Sequence, residues 1–287
     1  MKHSYKINLD KLEITYTASN ELKDYIANND VVLFNELKLI KQESRMYANE
    51  YAIWGSDYNK DKGGVYNRLI GFIYFGSHNP NRQNVYVSYL NECLYDNYMI
   101  ASRFYIEESI GLEFKCVSKI DIAIDFNFNI INRLYKLYKD NNYNLIVNRK
   151  KIENLNTIVK DVVHIAGNNN RKRPFANPTF YIHNDNHSLS LKAYNKTNEI
   201  NQSSNKQYIV DNIGFNRIYR LEVSCANHKV IKKSLDMINL TDEELYSKLQ
   251  DETTLILLFM NILDRLIRVQ YKRKSLNILS VMLNDLN

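Results

Sequence analysis

The chain has 287 residues, of which 38 are Lys or Arg and 32 are Asp or Glu, so its formal net charge is +6. Hydrophobic residues make up 45% and charged residues 24%, while Gly 8 and Pro 3 are few, which excludes a disordered or collagen-like chain. The length is ample for a substantial core, and the charge surplus permits nucleic-acid binding without requiring it.

Cysteine usage and hydropathy narrow the class of protein further. Cys93, Cys116 and Cys225 are far apart and include no CxxC pair, which disfavours a disulfide framework or a structural zinc site. The longest apolar stretch, residues 255–260, is far shorter than the ~20 residues that a membrane span needs. With no apolar signal region at the start, the sequence predicts a cytoplasmic protein without membrane association.

The first third of the chain is predicted to be rich in strands. Apolar and polar residues alternate over residues 11–17, and β-branched and aromatic residues are dense at 65–75 and 85–90. Helices are predicted at 20–28, with Asn20 as the cap, and at 96–110.

The middle of the chain mixes both types of element. The pattern predicts a strand over 113–125, a helix over 130–140 and a loop-rich region over 141–178. Two strands are then predicted at 179–183 and 189–194, joined by a turn at 184–186.

The last part predicts one more strand, at 217–225, and then helices. Thr241 and Glu244 have the spacing of a capping box, and an apolar stripe of helical period follows over 255–269. The chain therefore predicts an α+β fold with a largely antiparallel central sheet, flanking helices and a helical C-terminal part. We divide it into a β-rich region 1–110, a core 111–230 and a helical region 231–287, and leave open whether the strands of the first region belong to the same sheet as the core.

Carboxylates lie on one face of two predicted strands. Asp121 and Asp125 flank Ala123 on the face opposite three isoleucines, roughly 13 Å apart along a regular strand. Glu222 shares a strand face with Arg220. Neighbouring strands with such carboxylates offer the oxygens that Mg²⁺ or Mn²⁺ prefers, whereas solvated acids and an outward ion pair are the simpler alternatives.

One tyrosine among 22 lies in an unusual local setting. In the predicted strand 189–194, Tyr194 falls on the polar face with Lys192, and Lys196 follows. A free tyrosine has a pKa near 10, and neighbouring cations favour the phenolate, which can attack a phosphodiester. An ordinary packing role is the alternative.

Four segments in this order resemble the Rep_trans family, which contains the rolling-circle replication initiators of staphylococcal plasmids and related relaxases of integrative conjugative elements. The segments are Lys-Ile-Asp-Ile-Ala-Ile-Asp-Phe (119–126), Thr-Phe-Tyr-Ile (179–182), Leu-Lys-Ala-Tyr-Asn-Lys-Thr-Asn-Glu (191–199) and Tyr-Arg-Leu-Glu-Val (219–223). The resemblance covers roughly residues 115–225 and implies a fold of the replication-initiator, tyrosine-nickase type.

The resemblance also implies roles for single residues. Tyr194 would be the nucleophile, with Lys196 contacting the phosphate or phenolate and Glu199 positioning a group or transferring a proton. The implied ligands of a divalent ion, Mg²⁺ or Mn²⁺, are Asp121, Asp125 and Glu222.

The chain departs from the family pattern at two places. Lys119 replaces the usual Arg, and residues 183–185, His-Asn-Asp, stand where the family has Gly-x-Arg. A phosphate contact is then expected from Lys192 or Arg220 instead. His183 and His187 could also be read as a metal-binding pair, but no Glu lies between them as in HExxH, and we interpret them as loop histidines.

Two basic clusters are candidate contacts for the DNA backbone. One lies on a predicted loop and the other on a predicted helix over 265–274; a solvated loop and the charged face of an amphipathic helix are the alternatives. The residues are Arg171, Lys172 and Arg173 in the first cluster and Arg265, Arg268 and Lys272 in the second.

By this resemblance the chain is expected to nick one DNA strand at an origin, leaving a 5′-phosphotyrosyl enzyme and a free 3′-hydroxyl that starts rolling-circle replication. The alternatives are a relaxase acting at a transfer origin and a DNA-binding initiator that does not nick. No GxxxxGK[ST] sequence is present, so a host helicase and polymerase are expected partners. A homodimer is left open, and the expected setting is a bacterial cytoplasm, with the gene on a plasmid, phage or mobile element.

Overall fold

The computed structural model describes residues 4–59, 64–77, 84–95, 98–148, 150–152, 163–166 and 179–283. The chain separates into two compact units. One comprises Asp10–Ile120, and the other comprises Met1–Leu9 together with Asp121–Asn287. No helix in the described ranges is long and apolar enough to cross a membrane.

The unit Asp10–Ile120 is built mainly from an antiparallel sheet. Its order is β1-β6-β5-β4-β3-β2, and each neighbouring pair is antiparallel. Alternate residues such as Ile14, Ile53 and Val87 are buried, as expected for strands with one face on the core. The elements are β1 (Tyr5–Thr17), α1 (Asn20–Ala27), β2 (Val31–Phe34), β3 (Leu37–Lys41), β4 (Tyr47–Asn59), β5 (Gly64–Ser77), β6 (Val85–Tyr89), α2 (Asn91–Leu94), α3 (Tyr98–Ile110) and β7 (Glu113–Phe126).

The cap of α1 differs from the prediction by one residue. Ser19, not Asn20, has an extended backbone before the helix, and its hydroxyl accepts a hydrogen bond from the Leu22 amide. Ser and Asn are both preferred at the N-cap. Because Ser19 and Asn20 are adjacent, residue preference does not decide which of them caps the helix.

The second unit carries the other end of β7 and the rest of the chain. Its larger sheet has the order β10-β11-β12-β13-β7, and a small sheet has the order β15-β14-β8-β9. The elements are α4 (Ile130–Lys139), β8 (Tyr143–Val147), β9 (Lys150–Ile152), β10 (Val163–Ala166), β11 (Thr179–His183), β12 (Leu189–Asn195), α5 (Lys196–Glu199), a π-helical turn Ile200–Ser204, α6 (Gln207–Ile213), β13 (Tyr219–Cys225), α7 (His228–Asp236), α8 (Asp242–Ser247), α9 (Glu252–Leu266), β14 (Ile267–Tyr271), β15 (Lys274–Leu276) and α10 (Ile278–Leu283).

The two faces of this larger sheet differ in character. Phe180, Ala193 and Leu221 are buried on one face, where the rings of Tyr135 and Tyr138 on α4 contact Phe180 at 6.2 and 6.1 Å. Side chains alternate along a strand, so the residues between them point to the opposite face. That opposite face is polar and carries the candidate site.

The predicted α+β fold with a largely antiparallel sheet is confirmed. The capping box also forms, because the Thr241 hydroxyl accepts from the Glu244 amide while the Glu244 carboxylate accepts from the Thr241 amide. The predicted loop-rich region 141–178 contains β8, β9 and β10.

The predicted helix over 265–274 is wrong. Helix α9 ends at Leu266, and the chain continues as the hairpin β14–β15. Ile267 and Val269 are buried while Arg268 between them is exposed, which is the alternation of a strand. The prediction was misled because the spacing of Leu266 and Val269 also fits a helix.

Candidate functional site

Tyr194 lies near the end of β12, beside β13. The register pairs Tyr194 with Arg220 and Lys192 with Glu222, so these side chains share the polar face of the sheet. The Tyr194 hydroxyl donates a hydrogen bond to Glu222 Oε2 at 2.8 Å. A predicted nucleophile and a predicted carboxylate are thus brought into direct contact.

Lys192 occupies the other oxygen of the same carboxylate. Its Nζ donates to Glu222 Oε1 at 3.2 Å. Burial lowers the pKa of Lys192, but the charge and hydrogen bond of Glu222, with smaller contributions from Asp121 and Tyr181, outweigh it and raise the pKa. Lys192 is therefore cationic at neutral pH, and its side chain is 45% exposed.

Lys196 lies near the ring of Tyr194. The side chain is almost fully buried, and its Nζ is 2.7 Å from Glu199 Oε2 and 5.7 Å from the centre of the Tyr194 ring. A cation at this distance can interact with the π-system of the ring. Glu199 holds Lys196 in this place.

Asp125 and Arg220 form a separate ion pair on the same face. Arg220 Nε donates to Asp125 Oδ1 at 2.7 Å and Nη2 donates to Oδ2 at 2.8 Å, and both side chains are completely buried. This geometry corrects two predicted roles. Arg220 is not available to a DNA phosphate, and both oxygens of Asp125 already accept from a guanidinium, so Asp125 is not placed as a metal ligand.

Asp121 accepts a hydrogen bond from the Ser224 hydroxyl. Its charge raises the pKa of Lys192 and contributes, after burial, to raising the pKa of Cys225 to about 11. Asp121 therefore acts electrostatically on the same lysine that binds Glu222. The sequence predicted Asp121 and Glu222 as site residues, but it did not indicate the hydrogen bond from Ser224 to Asp121.

The three predicted metal ligands do not assemble into a three-carboxylate site. In the part of the chain that the structure describes, no group of three or more His, Cys, Asp or Glu side chains is arranged to hold a metal ion. Arg220 binds Asp125, Lys192 and Tyr194 bind Glu222, and Ser224 donates to Asp121. A cationic or hydrogen-bonding partner therefore already contacts each of the three carboxylates. The donor set as arranged does not fit the predicted Mg²⁺ or Mn²⁺ ion.

His183 and His187 are stacked on each other. Their ring centres are 3.9 Å apart with an interplanar angle of 24°, and the Tyr181 ring centre is 5.3 Å from that of His183. Ring nitrogens bind a metal in the plane of the ring, so two stacked imidazoles do not converge on one ion. We interpreted His183 as a loop histidine. In the structure it is the last residue of β11 and is buried.

The first predicted basic cluster, Arg171, Lys172 and Arg173, lies outside the described residues. In the second, Arg268 and Lys272 are exposed, and Arg268 Nε donates to the Asp264 carbonyl at 2.9 Å. Arg265 is half-buried with an Nη2 contact of 3.6 Å to Met237 Sδ.

Two further cations extend this second cluster at the tip of the β14–β15 hairpin. Lys272 and Arg273 form the turn, with φ of 45° and 70°. The two added cations, Arg273 and Lys274, are exposed, as is Lys272. A two-residue turn with positive φ at both positions matches the twist of a hairpin and ordinarily takes Asn or Gly. The sequence therefore carried no turn signal here.

Comparisons with known proteins give one likeness. No family model matches the chain, and no curated protein matches it. A solved structure, that of the rolling circle replication initiator protein from Geobacillus stearothermophilus, is similar with a TM-score of 0.49 and 13% sequence identity, covering 99% of this chain and 96% of that chain.

Proposed function

We propose that this protein is a site-specific nickase that cuts one DNA strand through Tyr194 and so initiates rolling-circle replication. The observation that carries the proposal is the 2.8 Å hydrogen bond from the Tyr194 hydroxyl to Glu222, with Lys192 on the same carboxylate and Lys196 beside the ring. A tyrosine on a polar sheet face, bonded to a carboxylate and flanked by two cations, is arranged as an activated nucleophile.

Glu222 takes the proton as Tyr194 attacks. The Tyr194 oxygen forms a bond to a backbone phosphorus while the bond from phosphorus to the 3′ oxygen breaks. The phenolic proton passes to Glu222, and the departing 3′ oxygen takes a proton from solvent, so the products are a 5′-phosphotyrosyl bond and a free 3′-hydroxyl. A positioned general base of this kind contributes typically 10²–10⁴-fold.

The two lysines stabilise charge at different stages. Lys196 is held near the Tyr194 ring by Glu199 and favours the phenolate. Lys192 has a partly exposed ammonium, so it can turn from Glu222 towards the charge that develops on the phosphate. Neither role requires Arg220, which belongs to the buried pair.

The phosphotyrosyl bond conserves the energy of the cleaved linkage. Attack by a 3′-hydroxyl on the same phosphorus reverses the step and rejoins a strand, so the reaction needs no nucleotide cofactor. The same chemistry serves a relaxase, and the DNA that recruits the protein distinguishes the two. Exposed cations at Arg268 and Lys272, with the 171–173 cluster, are our proposed backbone contacts.

The test is covalent capture of DNA. A single-stranded oligonucleotide library drawn from the replicon that encodes the protein is incubated with the wild-type chain, with Tyr194→Phe and with Tyr219→Phe, a neighbouring tyrosine of β13 as control. We expect a 5′-linked adduct with the wild type and the control and none with Tyr194→Phe, which should still bind DNA. An adduct that persists in Tyr194→Phe would sink the proposal, and DNA binding without any adduct in the wild type would favour an initiator that does not nick.

A further inference from the structure

A row of three rings runs beside the candidate nucleophile. We call Tyr181, His183 and His187 the ring row. Its ring centres are separated by 5.3 Å and then 3.9 Å, with interplanar angles of 45° and 24°. His183 is buried in the middle, Tyr181 is partly exposed, and His187 is exposed at the outer end.

Strand register fixes the position of the ring row relative to Tyr194. Tyr181 pairs with Lys192, and His183 pairs with Ser190, so these side chains share the polar face with Lys192 and Tyr194. Ser190 is four residues from Tyr194 on β12, which is roughly 13 Å along a strand. The ring row therefore begins one strand away from the nucleophile and leads away from it along the sheet.

The turn after β11 holds His187 in place. Its amide donates to the Asn184 carbonyl at 3.0 Å, and the Asn184 side chain accepts from the Leu189 amide at 2.9 Å. His187 has a φ of 55°, a left-handed conformation that is costly for a residue with a side chain. His183 is fixed as well, because its Nδ1 lies 2.9 Å from the Asn184 carbonyl. The backbone at His187 and the ring of His183 are thus held before any ligand arrives, and the His187 ring stacks on the latter.

We infer that the ring row is a stacking platform for the bases of single-stranded DNA next to the scissile phosphate. Every base has a flat π-face, and aromatic and histidine side chains on a sheet bind unpaired bases by stacking without reading their sequence. The exposed outer face of His187 and the partly exposed ring of Tyr181 are the contact surfaces, and buried His183 supports them. The inference rests on the proposed nickase function, since that function brings a single strand to Lys192 and Tyr194.

Stacking is separated from phosphate binding by two probes of equal charge. One is a fluorescein-labelled oligothymidine of about twenty nucleotides, which exceeds the site size of typical single-strand binding folds, and the other is an abasic strand of the same length. Fluorescence anisotropy at fixed salt gives the affinity of the full chain for each. We expect the wild type to bind oligothymidine on the order of tenfold more tightly than the abasic strand.

The variants assign that preference to the ring row. His187→Ala should lose most of it, His187→Phe should retain it because the ring remains, and His228→Ala, at the start of α7, should behave as the wild type. Tyr181→Phe should also retain it, whereas Tyr181→Ala should not. Equal affinity of the wild type for both probes, or an unchanged preference in His187→Ala, would overturn the inference.

One further outcome of the variants is informative. If His187→Phe loses the preference as fully as His187→Ala does, an imidazole nitrogen is required and stacking is refuted. The probe comparison keeps the test valid if a substitution lowers stability, because it needs only the wild-type chain. Binding is measured without cleavage, so failure of Tyr194 as nucleophile and failure of the ring row as a base platform give different results.

Discussion

Two ion pairs two residues apart on β13 differ in nearly every physical respect. Arg220 and Asp125, the closed pair, are joined by two short hydrogen bonds and are both completely buried. Glu222 and Lys192, the open pair, share a single bond of 3.2 Å, and the lysine side chain is 45% exposed. Tyr194 joins the open pair through Glu222. The closed pair has no freedom to exchange partners, whereas the open pair can release its lysine to a substrate.

Breaking the closed pair should have the largest effect on stability. Asp125→Ala leaves a buried guanidinium without its counter-charge, so the free energy of unfolding should fall by about 3–5 kcal/mol. Urea denaturation followed by circular dichroism measures this loss. Asp236→Ala, at an exposed aspartate of α7, is the control and should change stability by less than about 0.5 kcal/mol.

A double substitution sharpens the same point. Asp125→Leu combined with Arg220→Met replaces both charges with apolar groups, and much of the lost stability should return. If the single and double variants are equally destabilised, the penalty of an unpaired charge is not the cause.

Breaking the open pair should affect catalysis rather than folding. Glu222→Gln retains an oxygen for the Tyr194 hydroxyl but cannot accept its proton at neutral pH. The rate of adduct formation should fall at least a hundredfold, which is about 3 kcal/mol in the barrier. Single-turnover cleavage assays measure this rate, with Glu243→Gln on the exposed side of α8 as the control. If Glu222→Gln formed the adduct at a rate within about threefold of the wild-type rate, the role of Glu222 as general base would be contradicted.

Metal binding tests whether the Lys192 ammonium occupies the place that a divalent ion would take beside Glu222 and Asp121. Lys192 binds Glu222 and is acted on by Asp121, so it supplies the positive charge between two carboxylates. Lys192→Met should therefore bind Mn²⁺ more tightly than the wild type, on the order of tenfold, or about 1.4 kcal/mol. Isothermal titration calorimetry with Mn²⁺ gives both affinities, and Lys229→Met on α7 is the control. Equal affinities would show that Lys192 and the ion do not compete.

The smallest expected effect is the pH dependence of stability. The pKa of Lys192 is raised on folding, so its contribution is fully present below the unfolded value near 10.4 and is lost as pH rises through the higher folded value. Because the Lys192 side chain is 45% exposed and solvent screens its charge, we expect less than about 1 kcal/mol. The difference in urea midpoint between wild type and Lys192→Met should shrink as pH rises above 10. A difference that stays constant with pH would contradict this assignment.

The contrast between the pairs also shows what the sequence could predict. Alternation along β12 and β13 placed Tyr194 and Glu222 on polar faces, and the structure brings them into contact. Which carboxylate would pair with which cation depended on strand register and on β7 lying next to β13, and no residue pattern encodes either. Arg220 was therefore predicted to contact DNA although the fold buries it.

The ring row and the hairpin were missed for different reasons. Stacking of His183 on His187 depends on a left-handed backbone at a histidine, which the usual turn residues do not signal. The hairpin was taken for a helix because Leu266 and Val269 fit both periods, and Lys272 and Arg273 carry no Gly or Asn. In both cases tertiary contacts override the local preference of the residues.

The hairpin tip has a consequence for engineering the chain. Lys272 and Arg273 both adopt the left-handed conformation, where Asn-Gly would fit with less steric cost. Exchanging them for Asn-Gly would relieve the backbone strain in this turn and at the same time remove two outward charges of the small sheet. Thermal robustness and attraction to a polyanion therefore compete at the same two positions, and a variant selected for one is expected to lose part of the other.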